Sequence, residues 1–170
     1  CGVGDIRGQE LAPIRGRMRG CAVERPVRVT SIAGVRLSQP AVIDCTTARA
    51  LRGWIGRGVK PAVGRLGGGV SGLRVAASYS CRTRNSKPGA KLSEHAKGHA
   101  IDISGIELAN GKTITVLDGW GRRAEGKILR RVHKAACGPF GTVLGPGSDR
   151  YHKDHLHLDT ARYRGGPYCR

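Results

Sequence analysis

Apolar residues recur along this chain with two different periods. Ala48, Leu51, Ile55 and Val59 stand three or four positions apart, the spacing of one helix face. Asp44 precedes them as an N-cap, so the spacing predicts a helix over 45–58, ended by Pro61. The pattern returns over 122–136, with apolar residues at 128, 129, 132, 135 and 136, and Gly138-Pro139 stops it. Elsewhere the period is short. Val27, Val29, Ile32, Val35 and Leu37 have β-like spacing between Cys21 and Val42, with Pro40 closing the segment. From Leu73 to Cys81, Val75, Ala77 and Tyr79 alternate with Arg74 and Ser78, which predicts a strand. Residues 83–94 are polar, carry Pro88-Gly89 and read as a loop. Ala100 to Ile103 is a short strand. Ile106 to Leu108 and Thr113 to Leu117 flank Asn110-Gly111, a hairpin signal. Val143-Leu144 runs into the Gly145-Pro146-Gly147 turn, Leu156 to Thr160 forms a last strand, and a loose tail reaches Cys169.

These elements predict an α+β fold: a small, mainly antiparallel sheet with flanking helices. The chain has 170 residues, which suits one domain. Residues 1–20 are Gly- and Arg-rich without a period and read as an extended arm held by Cys1. Residues 21–170 form the domain proper. Large rings are scarce (one Phe, two Trp, four Tyr), so Val, Ile, Leu and Ala must fill the core.

Composition adds a compartment and a charge. The six cysteines at 1, 21, 45, 81, 137 and 169 are widely spaced and form no Cys-x-x-Cys pair. That pattern favours disulfides in an oxidising compartment, periplasmic or extracellular, over a thiolate metal site. It leaves the pairing open. The chain starts at Cys1 rather than Met, which reads as a processed form without its signal peptide. A lipid-bearing Cys1 would leave an odd thiol. No apolar run is long enough to span a bilayer. The net charge is +18, from 30 Lys and Arg against 12 Asp and Glu. An anionic partner follows from that excess, or else a solubilising surface. No nucleic-acid-binding motif accompanies it, so specific nucleic-acid recognition is not expected.

The chemistry lies in two stretches, Ser93 to Asp102 and Asp154 to His157. Together they offer imidazoles and carboxylates in the numbers that a catalytic zinc site needs, three protein ligands and one open position. Asp102 stands between Ile101 and Ile103, where an unpaired carboxylate is costly to bury. A metal would neutralise it, and so would an arginine. His155 and His157 are two apart on a strand and share one face, with Leu156 and Leu158 on the other. Asp154 precedes His157 by three positions. An ideal strand puts those two on opposite faces, so Asp154 reaches the site only through a bend or bulge. Carboxylates such as Asp159 commonly orient ligand histidines, and His152 is a candidate for the same surroundings. His99 reads as a polar loop residue and His133 as a surface residue on the second helix.

Ser93-x-His95-x-x-Gly98-x-Ala100-x-Asp102, followed by acid-x-x-His and His-x-His, resembles the zinc D,D-peptidases of bacterial cell walls, the VanX/VanY-type and lysostaphin-like enzymes. More closely, the chain is similar to the bacterial extensin-like C-terminal domain family. The matching stretches are Ser78 to Arg82, Ser93 to Ala96, Ala100 to Ile103, Val143 to Asp149 and His155 to Asp159. Nothing in its composition resembles the Pro-rich plant extensins. The resemblance implies a D,D-peptidase/Hedgehog-like fold with His95, Asp102 and His157 as zinc ligands. It implies that Asp154, standing where the pattern has Glu, is the general base, and that His155 assists. Arg82 would polarise the scissile carbonyl, Ser93 would position substrate or the first ligand, and Arg84 would contact a substrate carboxylate.

The expected function is a zinc peptidase cleaving D-amino-acid peptide bonds of peptidoglycan stems. The rival expectation is a non-catalytic zinc-containing module that binds cell wall or another anionic polymer.

Overall fold

In the computed structural model, residues 1–163 and 165–170 are described. The strands are β1 (Ile6–Glu10), β2 (Ile14–Arg15), β3 (Ala22–Val23), β4 (Pro26–Ile32), β5 (Val35–Asp44), β6 (Val70–Ala77), β7 (Ala100–Leu108), β8 (Thr113–Thr115), β9 (Thr142–Leu144), β10 (Leu156–Asp159) and β11 (Tyr168–Cys169). The helices are α1 (Cys45–Trp54), α2 (Lys60–Val63), α3 (Val116–Gly119) and α4 (Arg123–Ala136). Nine strands make one sheet in the order β1-β4-β5-β6-β7-β10-β9-β11, with β8 paired to β7. Its pairs are antiparallel except β5 with β6 and β9 with β11. The sheet is thus mainly antiparallel, as the alternation predicts, and larger than the small sheet expected.

Two additions explain the size. The expected extended arm contributes β1, which pairs with β4 from Ile6 opposite Ile32 to Glu10 opposite Val27. The expected loose tail contributes β11, which pairs with β9 beside the Cys137–Cys169 disulfide. The short strand at 100–103 and the segment at 106–108 are also one strand. Gly105 lets β7 continue, because a Cβ there would lie 3.0 Å from the Ile114 carbonyl oxygen of β8.

The core lies on one face of the sheet. α1 begins where expected, with Asp44 Oδ1 accepting from the Thr47 N–H at 2.7 Å. Ala48, Leu51, Ile55 and Val59 are all buried, as their spacing requires. The helical path does not stop at Pro61. A wide π turn over Ile55–Val59 precedes α2, whose Pro61 falls in its first turn, where a missing N–H costs least. Pro40 likewise does not end β5. It sits at the irregularity where pairing with β4 slips between Val29 and Ser31, a place that tolerates proline. α4 buries Leu129, Val132 and Ala136, and the Val132 carbonyl accepts from the Trp54 indole N–H at 2.9 Å. Trp54 and Phe140 meet edge to face with centroids 6.3 Å apart.

Disulfides Cys1–Cys45, Cys21–Cys81 and Cys137–Cys169 close the free ends and loops. The first ties the chain start to α1. The second ties the β2–β3 region to the segment that leads into Arg82. No helix among the described residues is long and apolar enough to cross a membrane.

The cap on α1 is a direct test of this arrangement. Asp44→Ala should destabilise the fold by about 1 kcal/mol, read as a lower denaturant midpoint, and Asp44→Asn should recover most of it.

Candidate metal centre

Register across the sheet builds the site. In the antiparallel pair β7–β10, His157 stands directly opposite Asp102, and Leu158 opposite Ile101. The leucines and isoleucines enter the core, so Asp102 and His157 point to the other face together. Ala77 of β6 pairs with Asp102 from the other side. Just beyond β6, the Ser80 N–H donates to the His95 carbonyl at 3.3 Å and brings the third residue alongside.

His95 rides on a tight 3-10 turn over Glu94–Lys97. Ser93 caps this turn, its Oγ accepting from the His95 N–H at 3.3 Å. Gly98 ends it with φ +70°, and a Cβ there would sit 2.9 Å from a Val23 methyl. The hydrogen bonds from His99 and Lys97 hold the Glu94 carboxylate at a pKa of about 2, burial notwithstanding. That carboxylate fastens the back of the turn while His95 faces forward.

The three side chains converge. One ligand atom each from His95, Asp102 and His157 lies within 4.8 Å of the others. His95 Nε2 is 3.2 Å from Asp102 Oδ2, and His157 Nδ1 is 2.9 Å from Asp102 Oδ1. Both imidazoles are held from behind. His95 Nδ1–H donates to the Ser78 carbonyl at 2.7 Å, and His157 Nε2–H to Asp159 Oδ2 at 3.0 Å. Each ring therefore turns its other nitrogen toward Asp102, as second-layer partners of metal ligands do. His95 is fully buried and Asp102 is 4% exposed. Burial raises the Asp102 pKa, but hydrogen bonds from His157 and His95 outweigh it and hold the carboxyl well below the usual range. Burial lowers the His157 pKa, yet its bonds to Asp102 and Asp159 lift it to about 9. Two imidazole nitrogens and a carboxylate, with their outer hydrogen bonds satisfied, suit a divalent cation that favours nitrogen and oxygen donors.

The group lies in a cavity of about 440 Å³. Arg82, Arg84, Ser93, His152 and His155 line it, and Tyr151, Tyr163 and Tyr168 stand there too. Arg82 and Arg84 therefore share one space with His95, Asp102 and His157. Ser93 is there as well, but its hydroxyl is engaged in capping the His95 turn. His155 Nε2 is 3.7 Å from Asp102 Oδ2, while its Nδ1 is 2.7 Å from Asp154 Oδ1. Asp154 falls in a bend before β10, with a side chain 64% exposed, and is not among the cavity residues. Asp154, expected in the site, is thus separated from Asp102 by His155, whose ring it orients. Asp102 takes no arginine; among the described residues its partners are the histidines.

His152 stands in these surroundings as expected, with a partner, Asp149, that was not foreseen. His152 is buried, and its Nδ1 is 2.7 Å from Asp149 Oδ1. Its ring lies 5.2 Å from that of His155 and 5.8 Å from that of His157. Burial lowers the His152 pKa against the opposing pull of Asp149. The Asp149-x-x-His152 spacing was the available signal, within a loop that no periodicity describes. His99 stays outside this cavity, bonded to Glu94. His133 is half-buried rather than exposed, with Nε2–H donating to the Arg170 carbonyl at 2.9 Å.

Metal analysis of protein equilibrated with divalent ions and then desalted checks the donor set. One ion per chain is expected, lost in His157→Ala and in Asp102→Asn but retained in Asp154→Asn.

No curated protein and no solved structure matches the chain. A family model described as the extensin-like protein C-terminus matches residues 5–170, and the chain belongs to that family.

Proposed function

We propose that this chain is a zinc-dependent peptidase that cleaves D-amino-acid peptide bonds in peptidoglycan, working in the periplasm or outside the cell. The single observation that carries the reading is the convergence in one open cavity of His95, Asp102 and His157 with Arg82 and a carboxylate-held His155. A relation to the VanX/VanY-type and lysostaphin-like peptidases, and a D,D-peptidase/Hedgehog-like fold, belong to the same proposal. So does zinc as the metal, the usual choice for imidazole and carboxylate donors with an open position.

Zinc held there would lower the pKa of a bound water and polarise the scissile carbonyl. The protein's own groups supply the rest. Asp154 fixes the His155 ring with Nδ1–H donated to its carboxylate, leaving Nε2 facing the cavity as proton acceptor. His155 takes the proton from the attacking water and passes it to the departing amine. Arg82 stands at the cavity wall to stabilise the oxyanion as it forms, and Arg84 to receive a carboxylate of the peptide stem. Ser93 serves through the His95 turn that it caps. Three disulfides suit the oxidising compartment in which such a substrate lies.

A second reading, a zinc-holding cell-wall module without catalysis, draws on one feature. Asp154, the expected base, turns toward solvent and does not line the cavity.

Cross-linked muropeptides incubated with the zinc-loaded protein and resolved by mass spectrometry separate the two. Cleavage is expected, lowered by at least about 100-fold in His155→Ala with zinc still bound. Asp154→Asn should lose about 10- to 100-fold, as an orienting partner does. Stoichiometric zinc with no turnover on any muropeptide would favour the binding module.

A further inference from the structure

The exposed side of α4 carries Arg123, Lys127, Arg130, Arg131 and Lys134. Their spacing puts them on one stripe, about 16 Å long at a rise of ~1.5 Å per residue. The helix has one acid, Glu125, and this is 3.5 Å from Arg122, off the stripe. Asp118 of the neighbouring α3 is occupied by Thr115 Oγ1 at 2.7 Å. Among the described residues only Arg130 of the stripe makes a side-chain hydrogen bond, to the Trp120 carbonyl at 2.9 Å.

This arrangement is costly for an isolated helix. Arg123 with Lys127, Lys127 with Arg131, and Arg130 with Lys134 are like charges four apart, each pair destabilising. Protein surfaces ordinarily intersperse the two signs. Burial of Leu129, Val132 and Ala136 holds α4 in place despite the repulsion.

We infer that the α4 stripe takes its counter-charge from outside and is a docking surface for a linear anionic polysaccharide. Charge complementarity selects a polyanion. The stripe itself contains no aromatic residue on which bases could stack, which disfavours single-stranded nucleic acid. It contains no apolar side chain to enter a bilayer, which disfavours a lipid surface. Three disulfides are consistent with an oxidising compartment, where anionic glycans are among the polyanions a protein meets. α4 packs on the core side of the sheet, whereas Asp102 and His157 face the opposite side. A polymer held on α4 therefore leaves the metal cavity open. The inference does not depend on peptidase activity.

Calorimetric titration of the full chain with sodium alginate, a linear carboxylated polysaccharide, tests it over a salt series. Arg123→Glu/Arg131→Glu should bind at least about tenfold more weakly, with a shallower salt dependence. Its melting temperature should hold or rise, because both new acids sit beside Lys127 or Lys134. Arg28→Glu/Arg74→Glu, which removes as much charge from the sheet, should stay within about twofold of wild type. Equal weakening by the two double variants would overturn the inference, since net charge alone would then explain binding. Tighter α4-dependent binding to anionic phospholipid vesicles or duplex DNA than to alginate would overturn it as well.

Discussion

The buried carboxylate of Asp102 is the constraint on which the rest of this site depends. A charge in that position, 4% exposed on a strand between two core isoleucines, must be compensated. Its two oxygens meet His95 at 3.2 Å and His157 at 2.9 Å. Those rings are in turn held by the Ser78 carbonyl and by Asp159. The result is a chain of oriented donors and acceptors that links two buried carboxylates, Asp102 and Asp159, through His157. Bonds to Asp102 and Asp159 lift the His157 pKa to about 9, and a divalent cation held by the three side chains would bring positive charge to the same place.

The fold serves this constraint with short-range devices. Direct pairing of Asp102 with His157 across β7 and β10 fixes the two on one face without any loop. His95 needs more: a serine cap, a left-handed glycine, and the Glu94 carboxylate gripping His99 and Lys97 behind it. Cys21–Cys81 holds the segment that delivers Arg82, and Cys137–Cys169 holds the strand that brings Tyr168 to the cavity. Helices occupy the other side of the sheet, so the packed core and the polar site do not compete for the same surface.

Much of this was legible because it is periodic. Alternation of Leu156 and Leu158 with His157 placed the histidine on the open face, and the buried surroundings of Asp102 followed from Ile101 and Ile103. The helix spacing from Ala48 to Val59 placed α1 against the core. What stayed hidden is what periodicity does not encode. β1 has the sequence IRGQE, exposed after its first residue, and carries no apolar alternation to mark an edge strand. β11 is two residues long and depends on a disulfide whose pairing no spacing reveals. Pro61 reads as a helix end, but a π turn admits it. Asp154 lies in a bend, where side-chain direction follows from the local backbone and not from parity. Its partner is therefore His155 and not the His95, Asp102 and His157 group.

The most direct test of this account is a crystal structure of the metal-loaded protein with anomalous data collected across the zinc edge. The account predicts one strong peak, ligated by His95 Nε2, an Asp102 oxygen and His157 Nδ1, with the remaining position open to the cavity beside His155. An ion bound elsewhere, or one enclosed by four protein ligands with no position left for water, would contradict it.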